Sequence, residues 1–385
     1  MADEQRIDPE EDPEAALEAL AEGRAPETPA RRRRLARAAL FGMRDARRSA
    51  RIGIGVGALA LAVALGIGVL ALTRDTGDEG GGVVVTDDIA AGARSGTIYV
   101  RSRGVGQESV GTGVLVDAAA GLVLTNFHVI ALGGDLQAGE PDRLDDAEIR
   151  AAAPCEDLAL LEVEGVDDRT AITLGRQGDV AQGDPVVALG YPVSASGGKS
   201  LTTTAGVVST VRTPLRLPAP DQPRLTNLVQ TDAALGAGNS GGPLVGADGR
   251  LVGVNTILFT GAADAPSADQ GYAIGVDRVR ELLADFREGR SRAWFGAGLL
   301  TPPPGVLARE RLPAGILATS AQDGTSAAEL RLEEVLITAI GGTRVGSSLA
   351  SYCEAVSDVE SGESRDITVI AGPGGREQTM SVEFD

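Results

Sequence analysis

The chain has 385 residues, 43% of them hydrophobic and 3% aromatic, with 52 glycines and a formal net charge of −19. That length suggests two or three domains, and the hydrophobic fraction excludes a chain dominated by disorder. The acidic balance excludes a general nucleic-acid binder, which neutralises phosphates with clustered Lys and Arg.

Residues 1–51 open as an acidic, Ala- and Pro-rich tail, with Glu10, Glu11, Asp12 and Glu14 among few large apolar side chains. Such a segment cannot bury a core and reads as disordered. Its second half is basic, from Arg31-Arg32-Arg33-Arg34 through Arg37, Arg44, Arg47, Arg48 and Arg51, and an uncharged apolar run then fills residues 52–72. At ~1.5 Å rise per residue, about 20 apolar residues in a helix cross the ~30 Å hydrocarbon layer of a lipid bilayer. The run is longer and begins later than the apolar core of a signal peptide. Arginines crowd its N-terminal flank, while Asp75, Asp78 and Glu79 follow Arg74, so the N-terminus is expected in the cytoplasm. The reading is a single-pass cell-membrane anchor with everything beyond it extracytoplasmic. Residues 73–94, with Gly80-Gly81-Gly82, read as a linker.

From residue 95 the apolar stretches are short and β-branched, at 97–100, 113–116, 122–125, 158–163, 185–189, 205–211, 228–230, 243–245 and 251–255, with turn residues between them. This spacing predicts a mostly β sandwich or barrel, closed by a helix over 276–286, in a domain of residues 95–290. Residues 293–385 show short strands again, with one helical stretch around 349–359, and read as a second, small α+β domain. Cys155 and Cys353, the only cysteines, fall in these separate domains. A bridge between them would need an unusually close domain contact, so two thiols, buried or idle, are expected.

Three places concentrate chemistry. The segment Leu124-Thr125-Asn126-Phe127-His128-Val129 carries the only histidine of the chain just after a strand, which suits a general base. In Cys155-Glu156-Asp157-Leu158 an acid stands at the mouth of an apolar strand, and on composition alone Glu156 could take the place of Asp157. In Gly238-Asn239-Ser240-Gly241-Gly242-Pro243, glycines let the backbone bend sharply, expose the Ser240 hydroxyl and aim the amides of the Gly238, Asn239 and Ser240 turn at one point. Together these suit acyl transfer, with Ser240 as nucleophile, His128 as general base and acid, and Asp157 holding the imidazole tautomer. No metal or cofactor is called for.

The order His, Asp, Ser resembles the chymotrypsin-like double β-barrel. Gly111-Thr112-Gly113, Thr125-Asn126-Phe127-His128-Val129, Asp157-Leu158-Ala159-Leu160, Gln230-Thr231-Asp232-Ala233-Ala234 and Gly238 to Pro243 resemble, in order, the motifs of the HtrA (Deg) family of trypsin-like serine proteases. The resemblance covers residues 95–385 and implies a serine endopeptidase acting on misfolded or signalling polypeptides. Asn239 stands where secreted trypsins carry the aspartate that pairs with a newly cut amino terminus, so activation without zymogen cleavage is expected, with residues 235–239 as a disorder-to-order switch. Ala234 stands where a trypsin cutting after Lys or Arg places an acid. With Thr256 and Ile257 as the other pocket residues, this implies a small aliphatic P1 side chain.

Trp294-Phe295-Gly296-Ala297 resembles the carboxylate-binding loop of a PDZ domain, with Phe295, Gly296 and Ala297 as the loop proper. Gly315-Ile316-Leu317, Val335-Leu336-Ile337 and Gly341-Gly342-Thr343-Arg344-Val345 follow in PDZ order. The resemblance implies that C-terminal peptides add as a strand beside Leu299. It departs from the family at Glu333-Glu334, where Gly-Asp is usual. A homo-oligomer is open on the resemblance, although the N-terminal aromatic contacts of the family's trimers are not found among residues 83–102. The competing reading is a membrane-tethered peptide-binding scaffold or chaperone with little turnover.

Overall fold

The computed structural model describes residues 87–193, 200–215, 223, 225–256, 270–303 and 305–385. The tail, the apolar run at 52–72 and Ile257 lie outside them. Among the described residues no helix is long and apolar enough to cross a membrane. The expected linker ends in structure: α1 (Asp87–Ser95) is helical, its Ala93 is buried, and the Ala93 carbonyl accepts from Thr97 Oγ1 at 2.7 Å.

Strands β1 (Thr97–Gly104), β2 (Gln107–Asp117) and β3 (Leu122–Thr125) lead into a one-turn helix, α2 (Phe127–Ile130). Strands β4 (Asp135–Glu140), β5 (Arg143–Ala153) and β6 (Leu158–Val163) then close a barrel in the order β1-β2-β3-β6-β5-β4. Strands β7 (Pro185–Gly190), β8 (Thr202–Leu215), β9 (Leu225–Thr231), β10 (Pro243–Gly246), β11 (Leu251–Thr256) and β12 (Gly271–Gly275) close a second, in the order β10-β11-β12-β9-β8-β7. Closure leaves neither sheet with an edge. The continuous apolar run of β6 follows from burial on both faces. Leu158 and Leu160 join a core shared with Leu189 and Val254 of the second barrel, whereas Ala159 and Leu161 turn into the first barrel beside Val123. Helix α3 (Val276–Arg287) buries Val276, Val279, Leu283 and Phe286 in the shared core at helical spacing, so one stripe of α3 seals the seam between the barrels. Truncating Phe286 to Ala would cost about 3–5 kcal/mol.

The last sheet holds β13 (Ala297–Leu300), β14 (Ile316–Ala321), β15 (Val335–Ile340), β17 (Ser364–Ile370) and β18 (Glu377–Glu383) in that order, with β16 (Thr343–Arg344) on β15. The short helices α4 (Val306–Arg309), α5 (Ser326–Glu329) and α6 (Leu349–Ala355) complete it. Phe295 packs against Phe384 and Tyr352, with ring centroids 5.4 and 6.5 Å away. These rings belong to one apolar core that continues into the first barrel through Phe127, Val129 and Ile130.

The connection between α3 and β13 is stitched to β5. Arg292 N donates to Ala152 O at 3.0 Å, Ala152 N donates to Ser291 Oγ at 3.2 Å, and Arg150 Nη2 donates to Arg287 O at 2.7 Å. The Thr319 hydroxyl of β14 donates to Ala131 O, just past α2, at 2.5 Å. Gly133 has φ 60°, and a Cβ there would sit 1.7 Å from Ser320 Oγ, so only glycine allows this approach. The contact corrects the expectation for the cysteines. Cys155 and Cys353 form a disulfide, with Cα atoms 5.6 Å apart. The domain contact that seemed improbable from a sequence separation of 198 is present because the two domains share a core.

Candidate active site

His128 lies on α2, where Phe127, Val129 and Ile130 are buried and its own side chain is 37% exposed. The three apolar neighbours anchor the turn and leave the imidazole at the surface of the cleft. Asp157 follows a 3-10 turn, Pro154–Glu156, and takes a left-handed backbone with φ 54°. That conformation costs a non-glycine residue roughly 1 kcal/mol and persists only where its surroundings hold it. Its Oδ1 accepts from the His128 backbone N at 3.0 Å and lies 3.0 Å from Nδ1, while Oδ2 lies 2.9 Å from Nδ1. Asn126 Nδ2 donates to Asp157 O at 2.8 Å, so the residue two before His128 ties the base to the acid.

Glu156, the competing acid, is turned the other way. Arg278 Nε of α3 donates to its Oε2 at 3.1 Å and a second Arg278 nitrogen pairs with Oε1, in a bidentate contact shielded from solvent. Burial disfavours the His128 imidazolium, but the charge of Asp157 and its hydrogen bond outweigh that effect and raise the imidazole above its ordinary value.

Ser240 is 4% exposed and sits in a turn held largely by the main chain. Its carbonyl accepts from Thr112 N at 2.8 Å, Gly241 N donates to Asn255 O at 2.8 Å, and Gly242 N donates to Asn239 O at 3.0 Å. Thr112 gives the Gly111-Thr112-Gly113 motif its purpose. Its hydroxyl donates to Gly238 O at 2.7 Å and accepts from Tyr191 N at 3.0 Å, lashing the turn to the first barrel. Gly241 has φ 84°, and a Cβ there would strike Thr112 O at 2.0 Å.

Two expectations for this region change. The Asn239 amide donates to Gly236 O at 2.9 Å, so in this conformation it closes a turn and is no oxyanion donor. The Gly238 amide donates to no described backbone group. Thr256 is not a pocket wall. It is 2% exposed, and its hydroxyl donates to Asp157 Oδ2 at 3.0 Å, which makes it a further support of the acid. Ala234 is exposed, its carbonyl accepts from Thr204 Oγ1 at 2.8 Å, and beside it Leu235 presses on Gly271, where a Cβ would lie 2.8 Å from Leu235 Cδ1. Ile257 lies outside the described residues.

Phe295 and Gly296 lead into β13 at Ala297, with Phe295 and Ala297 fully buried and Gly296 at φ 95°. Gln322 N donates to Gly296 O at 2.8 Å across from β14. This bond flanks the pairing of Ala297 with Ala321, so the amide and carbonyl of Ala297 face the outer edge of β13. The indole Nε1 of Trp294 already donates to that carbonyl at 2.7 Å.

Two closed barrels, with a histidine and its buried aspartate from the first and a Gly-flanked serine from the second, define a chymotrypsin-like serine peptidase domain. In agreement, residues 111–254 match the family model described as a trypsin-like peptidase domain. Within that class the chain is similar to HtrA-type proteases. It is 36% identical over 218 residues to the mitochondrial serine protease HTRA2 of Bos taurus, covering 53% of this chain and 44% of that protein. It is 29% identical over 275 residues to the serine protease PepD of Mycobacterium tuberculosis, covering 63% and 57%. With the periplasmic serine endoprotease DegP of Salmonella typhimurium it shares 35% over 182 residues, covering 47% and 36%. The chain thus spans about half the length of the curated relatives it matches. The solved structure of the HtrA-type protease AlgW with tripeptide aligns at a TM-score of 0.47 and 27% identity, covering 77% of this chain and 95% of that one.

Proposed function

We propose that the chain is an HtrA-like serine endopeptidase that hydrolyses polypeptides through an acyl-enzyme on Ser240. The observation that carries the reading is the grip of Asp157 on His128, in which one carboxylate receives the ring Nδ1, the His128 amide and the Thr256 hydroxyl. This fixes the tautomer that leaves Nε2 to take the Ser240 proton and stabilises the imidazolium that results. The small aliphatic P1 preference is supported by Ala234, an exposed and uncharged side chain where a trypsin cutting after Lys or Arg places an acid.

Residues 52–72 serve in this proposal as a membrane anchor with the peptidase outside the cytoplasm. The Cys155–Cys353 disulfide supports that placement, since such bonds persist in oxidising compartments. The C-terminal sheet is read as a PDZ-like module, and a peptide adding along β13 would first displace the Trp294 indole from the Ala297 carbonyl. The test is hydrolysis of an unfolded polypeptide and of a peptide library by the full chain and by Ser240→Ala. Cleavage after small aliphatic residues that is lost in Ser240→Ala is the expected result. Peptide binding without Ser240-dependent cleavage would replace the reading with the scaffold one.

A further inference from the structure

The turn that presents Asp157 is held by two successive side chains that reach in different directions. Glu156 is gripped by Arg278 on α3, and Cys155 is bonded to Cys353 on α6. Helix α6 is a fixed point. Ser348 Oγ caps it by accepting from Ser351 N at 3.1 Å, and Tyr352 is fully buried, with its hydroxyl donating to Ala293 O at 2.6 Å. The same domain reaches the base, because Thr319 holds the carbonyl of Ala131 directly after the His128 turn. Asp157 adopts a left-handed backbone with φ 54°, a conformation that Asp tolerates better than most residues but still at a cost. Hydrogen bonds from Asn126, His128 N and Thr256 hold it on one side, and the bridge two residues upstream is the covalent hold on the other.

We propose that Cys353 is a positioning residue for the peptidase reaction, and that the Cys155–Cys353 bridge makes the C-terminal domain a redox-breakable clamp on the catalytic acid. The proposal rests on the serine-peptidase reading. Both cysteines are half-buried, so a small dithiol can reach them. In the exchange, a dithiol thiolate attacks one sulfur and the second dithiol thiol resolves the mixed disulfide. The protein gains two electrons and two protons as two cysteine thiols, and the dithiol leaves as its cyclic disulfide. Released from Cys353, the turn keeps the Arg278, Asn126 and Thr256 hydrogen bonds but loses its covalent tie to the C-terminal domain. Asp157 then has less to hold it under His128. Asp157 is the charged group that bears on His128, since Glu156 is occupied by Arg278.

His128 being the only histidine, its imidazole NMR signal reports the site without requiring turnover. The full chain, oxidised and then reduced with dithiothreitol, is followed through a pH titration of that signal and by kcat and KM on a peptide substrate, with bridge status read by intact mass. Reduction is expected to lower the His128 pKa, to cut kcat by roughly 10- to 100-fold with KM little changed, and to be reversed on reoxidation. A Cys155→Ser/Cys353→Ser variant should match the reduced protein. An unchanged titration and kcat with the bridge shown to be broken would overturn the proposal, as would a loss confined to thermal stability. If the oxidised protein shows no Ser240-dependent turnover, the peptidase reading fails, while the titration still decides whether the bridge positions the acid against the imidazole.

Discussion

The two halves of the site are held by different means. The acid and base, in the first barrel, are fixed by side chains that reach distant elements: Cys155 to Cys353, Glu156 to Arg278, Asn126 to the Asp157 carbonyl. The nucleophile turn, in the second barrel, rests on main-chain hydrogen bonds and on the Thr112 hydroxyl. It also carries a cost. Asn239 is 4% exposed, and among the described residues its Oδ1 is buried with no hydrogen-bond partner, although buried polar atoms are ordinarily satisfied. Asn126 Oδ1 in the first half is buried without a partner as well, so what separates the halves is the Asn239 amide, which closes on Gly236 in place of facing the oxyanion position. The difference teaches where control can act: on main-chain geometry in the oxyanion turn, and on side-chain and disulfide ties in the acid turn.

The largest effect should separate the two neighbouring acids. Asp157→Asn is expected to lower kcat by about 10⁴-fold because the imidazole loses its tautomer control. Glu156→Gln weakens only the Arg278 pair and should leave kcat within about threefold, with a loss of roughly 1–3 kcal/mol in stability measured by denaturant unfolding. Equal kinetic losses would break the assignment of the first half.

Thr112→Val probes the second half. It leaves the Tyr191 amide and the Gly238 carbonyl without their partner, and steady-state assays should show kcat down roughly 10-fold through a loosened oxyanion turn. An unchanged kcat would mean that the main chain alone holds the nucleophile. Thr256→Val crosses between the halves, since a second-barrel strand supplies a donor to the first-barrel acid. The loss of one hydrogen bond to a carboxylate should cost about 1.5–3 kcal/mol at most and lower kcat by about tenfold or less.

The smallest expected effect is a displacement along the pH axis. Because Asp157 raises the His128 pKa, the acid limb of kcat/KM should lie above the ordinary imidazole value of about 6.5. In Asp157→Asn the limb of the residual activity should fall below that value, since burial then acts unopposed. The linked stability has the opposite sense to activity. The imidazolium–carboxylate pair stabilises the fold below the unfolded imidazole pKa, and that contribution is lost as pH rises through the raised folded value.

Much of this was legible in the residues. The Gly238 to Pro243 turn declares its bend through glycines, two of which have positive φ, Gly238 at 96° and Gly241 at 84°. The helix expected over 276–286 is observed as Val276–Arg287 because its apolar stripe is periodic. Strands β4 and β5 were not legible. Asp145, Asp146, Glu148 and the run Ala151-Ala152-Ala153 have poor strand propensity, and barrel closure imposes their pairing. The choice between Glu156 and Asp157 was undecidable from composition, because Arg278 is 122 residues away in the chain. The cysteine bridge and the Thr256 contact were hidden for the same reason, since each depends on which elements share a core.

The proposed chemistry requires Ser240 to be a nucleophile activated by His128. Reaction of the full chain with a fluorophosphonate, followed by peptide mapping, tests this most directly. The predicted result is a single adduct on Ser240 that is absent from His128→Ala. No adduct at Ser240, or equal labelling of both proteins, would contradict it.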